Sequence, residues 1–284
     1  MRRTVIAGIV ALLVAALPAT GAGEQAKHFA AYASCATGGK HRARYCFAGG
    51  HPVAVFRAYG RARVAYRVCT REAGGRRHCA DRRTRHPGQR SRTAIDLHGS
   101  GRYRLAWFQD GRAVDRDKLV VRRRAAFVVG DSLGQGTKPY LPRALGGWKV
   151  DQSVSISRHV PEGVTILRRR GNLPGAIVFA LGTNDDPHAA SSFRSSLEAV
   201  RAIAGDTRCV VVPNIVRPPV GGASYAGYNR AIADLARAHD NFRVVDWAAL
   251  VAHNRGWLGD DGVHVTAAGY QARARAIAKQ VERC

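Results

Sequence analysis

Acidic residues are scarce in this sequence. The 284 residues include 20 Asp and Glu against 45 Lys and Arg, which gives a formal net charge of +25. Such a field attracts polyanions, so an anionic cell-wall polymer or an anionic lipid surface is an expected partner. The sequence also lacks a nucleic-acid-binding motif and a basic-aromatic stacking platform, so nucleic acid is not expected. Because a charge total defines no site, solvated basic faces without a partner are an equal alternative.

Long hydrophobic runs are missing beyond the first 22 residues. Residues 1–22 begin with two arginines after Met1, continue with an apolar run over positions 5–17 and end in small residues. This order is typical of a secretory signal peptide, and the apolar run is short for a membrane span. We predict a secreted protein, free or associated with the cell envelope, with cleavage near Ala22. An uncleaved anchor is the alternative.

Close cysteine pairs are also absent. None of the six cysteines is separated from another by only two residues, the spacing that metal sites commonly use, so no metal is expected. An even set of cysteines in an exported chain favours disulfides. Local pairing predicts bonds between Cys35 and Cys46 and between Cys69 and Cys79, although four cysteines permit three connectivities.

Residues 24–124 contain short segments in which apolar residues alternate with Arg and Ala, as in 63–69 and 102–107. A period of two with Arg on one side predicts strands of an antiparallel sheet that has one face in water. Short strands punctuated by Gly fit a small sandwich, loosely immunoglobulin-like. We therefore predict a disulfide-containing β domain over residues 24–124.

Three further segments complete this predicted domain. Asp110-Gly111 is typical of a hairpin turn that leads into a strand over 112–114, and residues 118–121 form a last predicted strand. The Arg-rich stretch 82–92 contains chain-breaking residues and is predicted to be a basic loop. No catalytic group of residues is recognisable in this part of the chain.

Residues 125–284 alternate strand and helix patterns. Short apolar runs predict five buried strands, near 126–130, 148–151, 176–181, 209–213 and 242–246. Helical spacing of apolar residues between the runs is clearest in Phe193, Leu197 and Val200 and in Tyr228, Ile232 and Leu235. Alternating strands and helices require a parallel sheet covered on both faces. The fold class predicted for this part is therefore α/β.

Polar residues follow these strands at several points. Ser132 ends the first apolar run, Asn184 follows the run at 176–181, and Asp261 and His264 lie three apart in a Gly- and Asp-rich loop. Ligands bind at the carboxyl edge of open α/β sheets. A serine hydroxyl becomes a nucleophile when a base takes its proton, and an imidazole oriented by a carboxylate is such a base. The sequence predicts this arrangement for Ser132, His264 and Asp261.

Three short blocks also carry a resemblance to a known family. They are, in chain order, Gly130-Asp131-Ser132-Leu133, Gly182-Thr183-Asn184-Asp185 and Asp261-Gly262-Val263-His264. They are similar to the first, third and fifth blocks of the SGNH (GDSL) hydrolases, and the resemblance covers roughly residues 125–284. The second block falls at Val154-Ser155, where the chain also looks like the secreted O-acetyltransferase branch of that superfamily.

The resemblance implies a flavodoxin-like fold and an oxyanion hole. The donors to the oxyanion would be the backbone N–H groups of Ser132 and Ser155 and the side chain of Asn184. Arg217, which follows the fourth predicted strand, and Trp257, which precedes Asp261, are candidates for binding substrate. The chemistry needs neither a metal nor a cofactor.

The last helix predicts how the remaining two cysteines pair. It starts after His264 with Thr266 as N-cap and must run back to the amino-terminal end of the sheet. Cys284 ends this helix, and Cys209 opens the fourth strand at the same end of the sheet. We predict a bond between Cys209 and Cys284.

Taken together, the sequence predicts a secreted serine esterase that acts on acyl esters, with acetyl esters favoured, of a carbohydrate or a lipid. An O-acyltransferase that passes the acyl group to a wall or glycan hydroxyl is one alternative. A wall- or glycan-binding protein without catalysis is another. A phosphate-binding loop is excluded, because neither GxGxxG nor Gly-Lys-Ser/Thr follows the first strand.

Overall fold

The computed structural model describes residues 29–35, 42–48, 52–59, 63–86, 88–95 and 100–284. The predicted signal peptide at residues 1–22 lies outside the described residues. No helix among the described residues is long and apolar enough to cross a membrane.

Eight strands come first along the described chain and form two sheets. They are β1 (Phe29–Ser34), β2 (Tyr45–Phe47), β3 (Val53–Ala58), β4 (Ala65–Glu72), β5 (Arg77–Arg83), β6 (Arg90–Ala94), β7 (Gly101–Gln109) and β8 (Arg112–Arg122). One sheet has the order β1-β3-β6 and the other the order β2-β8-β7-β4-β5. All neighbouring strands are antiparallel except β2, which runs parallel to β8.

The two sheets share one apolar core. Its largest fully buried side chains are Phe56 of β3, Leu105 and Trp107 of β7 and Leu119 of β8. Strands β4, β7 and β8 share one sheet, as strands C, F and G do in immunoglobulin domains. Strands β1, β3 and β6 share the other sheet, as strands A, B and E do. The predicted small β-sandwich is therefore present.

Two local predictions in this region need correction. The stretch 82–92 is not one loop, because β5 continues to Arg83 and β6 begins at Arg90. The arginines of the stretch remain exposed, so the pairing of β5 and β6 in their sheets buries no charge. Residues 112–122 form one strand instead of two, because β8 pairs with β7 along its length. The carboxylate of Asp117 in this strand accepts the backbone N–H of Ala33 at 2.9 Å.

The predicted hairpin turn is confirmed. Asp110 and Gly111 connect β7 to β8 with φ angles of 49° and 76°. Two successive positive φ angles define the type I′ turn, which suits the twist of an antiparallel pair, and Asp-Gly is favoured in it.

All three cysteine pairs expected from the sequence are bonded in the structure. They are Cys35–Cys46, Cys69–Cys79 and Cys209–Cys284. The second joins directly opposite residues of β4 and β5. The third ties the end of the chain to the first residue of the strand at 209–213.

Five parallel strands form the sheet of the second part. They are β9 (Ala125–Gly130), β10 (Lys149–Val154), β11 (Ala176–Ala180), β12 (Cys209–Pro213) and β13 (Phe242–Val245). Their order in the sheet is β10-β9-β11-β12-β13, the doubly wound order of flavodoxin-like folds. The point between β9 and β11 is the switch point, so ligands are expected at the carboxyl ends of these strands.

Seven α-helices accompany this sheet in the described chain. They are α1 (Ser132–Thr137), α2 (Leu141–Ala144), α3 (Val160–Arg169), α4 (Ala190–Ala204), α5 (Ala226–Ala238), α6 (Trp247–His253) and α7 (Ala267–Glu282). One apolar cluster joins α3, α4 and α5 to one face of the sheet, and a second joins α2, α6 and α7 to the other. Both predicted helix faces are buried in the first cluster. The hydroxyl of Thr266 accepts the backbone N–H of Gly269 at 3.3 Å, so the predicted N-cap of α7 is also confirmed.

The β-sandwich contacts the amino-terminal ends of the parallel strands. The rings of Phe47 and Trp148 lie 4.7 Å apart between centroids, and Tyr45 belongs to the same apolar cluster as α2 and α7. A Cβ atom at Gly175 would lie 2.4 Å from the Phe47 ring, so this contact requires glycine. Arg122 donates two hydrogen bonds of 2.7 Å to Thr207, just before β12. The carboxyl ends of the parallel strands therefore lie away from the β-sandwich.

Candidate active site

Ser132 is the first residue of α1 and follows β9 after Asp131. The Asp131 carboxylate caps the helix by accepting the backbone N–H groups of Leu133 at 3.0 Å and Gly134 at 3.5 Å. A carboxylate in this position satisfies N–H groups that have no acceptor inside the helix. Ser132 is half-buried at the carboxyl edge of the sheet, and its backbone N–H lies in the first turn of α1.

His264 contacts both Ser132 and Asp261. Its Nε2 atom lies 2.9 Å from Oγ of Ser132, and its Nδ1 atom lies 2.6 Å from Oδ2 of Asp261. The second carboxylate oxygen of Asp261 accepts the backbone N–H groups of Val263 at 3.0 Å and His264 at 2.9 Å. The three predicted residues are thus joined in one hydrogen-bonded chain.

The hydrogen bonds to Asp261 determine its charge. The hydrogen bond from His264 and the two from backbone N–H groups lower the pKa of Asp261 to about 2. An ionised carboxylate can only accept hydrogen bonds, so the proton between the two residues belongs to Nδ1 of His264. In a neutral imidazole Nε2 is then the acceptor for the hydroxyl hydrogen of Ser132.

Asn184 lies at the carboxyl end of β11, in the turn that follows Gly182. Its side-chain amide donates to the backbone oxygen of Arg158 at 3.3 Å, which uses one of its two N–H bonds. The neighbouring Asp185 accepts the backbone N–H of Val160 at 3.1 Å and so fixes the start of α3. The turn therefore holds Asn184 in place and leaves one amide N–H bond for a ligand.

Ser155 is placed differently from the sequence expectation. Its backbone N–H donates to the backbone oxygen of Gly130 at 3.2 Å. This bond extends the pairing of β10 with β9 by one residue. Because the N–H group is already used, the structure does not bring Ser155 together with Ser132 and Asn184 as a free donor.

The two candidate substrate-binding residues lie in different places. The guanidinium group of Arg217 donates to the backbone oxygen of Thr183, so it lies beside the turn that carries Asn184. The ring of Trp257 is stacked on Trp247, with centroids 5.9 Å apart. Trp257 lines a cavity of about 660 Å³ between α6 and α7, and the lining of this cavity includes none of Ser132, Asp261 and His264.

Arg273 of α7 is a residue that sequence reasoning missed. It is 3% exposed, and among the described residues its Nε atom and one terminal nitrogen have no hydrogen-bond partner. Burial lowers the pKa of Arg273 to about 10. Burial also raises the pKa of Asp131, and the positive charge of Arg273 opposes that rise. A buried cation of α7 therefore acts electrostatically on the carboxylate that caps α1.

The second part of the chain matches a known protein family. The sequence pattern of the GDSL-like Lipase/Acylhydrolase family matches residues 126–272, just over half of the chain. No curated protein sequence matched the chain.

Three similar solved structures come from bacteria. The C-terminal catalytic domain of peptidoglycan O-acetyltransferase A from Streptococcus pneumoniae is 18% identical, with a TM-score of 0.46, and the match covers 57% of this chain and 92% of that one. A lipase/acylhydrolase from Enterococcus faecalis is 17% identical, with a TM-score of 0.48 and coverages of 56% and 96%. A member of the lipolytic G-D-S-L family from Veillonella parvula is 15% identical, with a TM-score of 0.44 and coverages of 54% and 94%.

The family pattern spans the strands and helices that carry Ser132, Asn184, Asp261 and His264. The chain belongs to the GDSL-like lipase/acylhydrolase family.

Proposed function

We propose that this protein is a secreted serine esterase in which Ser132 attacks the acyl carbonyl of an ester. His264 accepts the hydroxyl proton of Ser132 through Nε2 and returns it to the leaving alcohol. Asp261 holds the imidazole in the required tautomer and stabilises its positive charge. The observation that supports this proposal is the chain of hydrogen bonds from Asp261 through His264 to Ser132.

The negative charge that develops on the carbonyl oxygen needs hydrogen-bond donors. We assign this role to the backbone N–H of Ser132, at the start of α1, and to the side-chain amide of Asn184. One such donor lowers the barrier by about 3 kcal/mol. Ser155 has no part in the proposal, because its N–H group donates to Gly130.

The exposure of the site favours a large alcohol and a short acyl group. The side chains of Asp261 and His264 are 50% and 49% exposed, so the reacting groups lie on an open rim. An open rim accommodates a bulky alcohol such as a carbohydrate, whereas a long acyl chain needs an apolar cleft that removes it from water. Acetyl esters of glycans are the proposed substrates.

The protein is proposed to be exported and to act outside the cytosol. The three disulfides fit an oxidising compartment outside the cytosol. The sequence pattern of residues 1–22 supports the same proposal.

The test is release of p-nitrophenol from acetyl, butyryl and octanoyl esters by the purified protein. We expect the acetyl ester to be hydrolysed fastest and Ser132→Ala to be inactive. Ser195→Ala, a change of an exposed serine on α4, is the matched control and should keep full activity. If the wild-type protein hydrolysed none of these esters, the esterase proposal would be overturned. Turnover that appears only after an acceptor sugar is added would establish acyl transfer instead.

A further inference from the structure

Four cations are aligned across the five-stranded sheet of the β-sandwich. Arg77 of β5 is opposite Arg71 of β4, Arg71 is opposite Arg104 of β7, and Arg104 is opposite Lys118 of β8. All four side chains are exposed. We call these four residues the cation row. With neighbouring strands about 4.8 Å apart, the row is about 14 Å long and crosses the strands at right angles.

This alignment opposes the usual pairing of side chains in sheets. Like charges on directly opposite residues destabilise a sheet, and the cation row contains three such pairs in succession. Four residues further along β4 and β5, by contrast, Asp81 accepts two hydrogen bonds of 2.7 and 2.9 Å from Arg67. Among the described residues, none of the four cations of the row forms an ion pair. The row therefore presents uncompensated positive charge at a regular spacing.

Neutral contacts hold two members of the row. The Nε atom of Arg71 donates to the backbone oxygen of Gly75 at 3.3 Å. The guanidinium carbon of Arg77 lies 4.7 Å from the centroid of the Phe108 ring. These contacts leave the positive charges in place and orient the long side chains, which lowers the entropy that a ligand must remove on binding.

The chemistry of the row indicates its ligand. One guanidinium group can bind two oxygens of a phosphate at once. A straight row of cations fits a linear chain of phosphates better than it fits a single ion. A lipid surface is disfavoured, because membrane-bound faces carry large apolar anchors. The exposed large apolar residues of the described chain are Tyr59, Ile156, Val220 and Leu250, and none belongs to this sheet. We propose that the cation row binds a linear phosphodiester polymer.

The row is separate from the candidate active site. Strand β8 meets the parallel sheet through Val120 and Arg122, at the amino-terminal ends of the parallel strands. Ser132 lies at their carboxyl ends. The proposal therefore does not depend on the esterase, and the two can fail independently.

The experiment uses fluorescently labelled poly(glycerol phosphate) and measures its binding to the full secreted protein by anisotropy. The row variant replaces all four cations by Gln (Arg71→Gln, Arg77→Gln, Arg104→Gln and Lys118→Gln). The control variant removes the same charge from exposed positions elsewhere (Arg90→Gln, Arg92→Gln, Arg143→Gln and Arg168→Gln). Circular dichroism and the urea midpoint establish that both variants are folded.

We expect the row variant to bind at least about 100-fold more weakly than wild type, because each Lys or Arg contributes about a factor of five at an anionic surface. The control variant should lose less than about threefold, since charges beyond a Debye length are screened. Equal losses in the two variants would show that net charge alone attracts the polymer and would overturn the proposal.

Two further probes test the chemical class. Vesicles of anionic phospholipid and a poly-γ-glutamate of matched length are compared with poly(glycerol phosphate) at the same salt concentration. Tighter binding of either one, lost in the row variant, would assign the row to a lipid surface or to a carboxylate polymer and would overturn the phosphodiester assignment.

Discussion

Asp261 holds both the ring and the backbone of His264: Oδ2 lies 2.6 Å from Nδ1, and Oδ1 accepts the backbone N–H at 2.9 Å. One carboxylate thus fixes the position of the loop and the tautomer of the imidazole that it orients.

Asp261→Asn should reduce kcat for p-nitrophenyl acetate by about 10³- to 10⁴-fold, because an amide can present its N–H to Nδ1 and so favour the wrong tautomer. KM should change little, since Asp261 does not contact the ester in the proposed mechanism. Steady-state kinetics check this expectation. A loss below tenfold would show that the imidazole does not depend on Asp261.

The same residue should contribute stability in a defined pH range. Its pKa is about 2 in the folded protein, below the value of about 4 for an unfolded chain. The contribution is therefore fully present above about pH 4 and is lost as the pH falls from about 4 to about 2. Urea unfolding of the wild-type protein and Asp261→Asn should give a free-energy difference that is present at pH 5 and shrinks as the pH falls from about 4 to about 2. A free-energy difference that grows at low pH would contradict this expectation.

Asn184→Ala should lower kcat by about 10²- to 10³-fold and leave KM nearly unchanged, because the lost hydrogen bond acts on the oxyanion. Asn214→Ala is the matched control. Asn214 donates to Asp246 at 2.8 Å and accepts the backbone N–H of Ala248 at 2.7 Å, so its loss should cost about 1 kcal/mol of stability with a much smaller change in kcat. Similar kinetic losses in both variants would argue against an oxyanion role for Asn184.

Arg273→Met should destabilise the protein at neutral pH, because it removes the positive charge that offsets the burial of the Asp131 carboxylate. Burial raises the pKa of Asp131, so the penalty belongs to the ionised form and should decrease as the pH is lowered. The double variant Asp131→Asn with Arg273→Met keeps a capping oxygen, carries no buried charge and should regain at least half of the loss. Urea unfolding at pH 7 and pH 4 tests this, and additive losses would show that the two residues are not coupled.

Replacing Cys209 and Cys284 by Ala should lower the free energy of unfolding by about 4 kcal/mol, since the bond closes a loop with a sequence separation of 75. Replacing Cys69 and Cys79, whose separation is 10, should lower it by about 3 kcal/mol. Urea unfolding compares the two double variants. A smaller loss for the longer loop would show that unfolded-chain entropy does not control the difference.

The parallel sheet and the positions of Ser132 and His264 could be predicted because their signals are local. Apolar runs that stop at Gly or polar residues indicate the ends of buried strands, and Asp261 and His264 lie in one tight loop where a separation of three brings carboxylate and imidazole together. These patterns need no knowledge of distant contacts.

Other features depend on pairing that no local pattern reveals. The N–H of Ser155 is used because β10 pairs with β9 in a particular register. Arg273 and Arg275 are two residues apart on α7 and look alike in the sequence, yet only Arg273 is buried, with its guanidinium group over the ring of Trp247. The cation row exists only through the register of four strands. Sequence alone therefore predicts the residues at which strands end. It predicts less well which residues those side chains and backbone groups contact in the fold.

The packing of Phe47 and Tyr45 against the parallel-sheet region bears on how the chain unfolds. Only Arg123 and Arg124 separate β8 from β9, and aromatic rings from the β-sandwich complete an apolar cluster that α2 and α7 share. Melting of the β-sandwich would expose that cluster, so calorimetry should record one cooperative transition. A fragment that starts at Ala125 would lack the aromatic rings that Tyr45 and Phe47 contribute to this cluster, so we expect it to be less stable than the same region within the full chain.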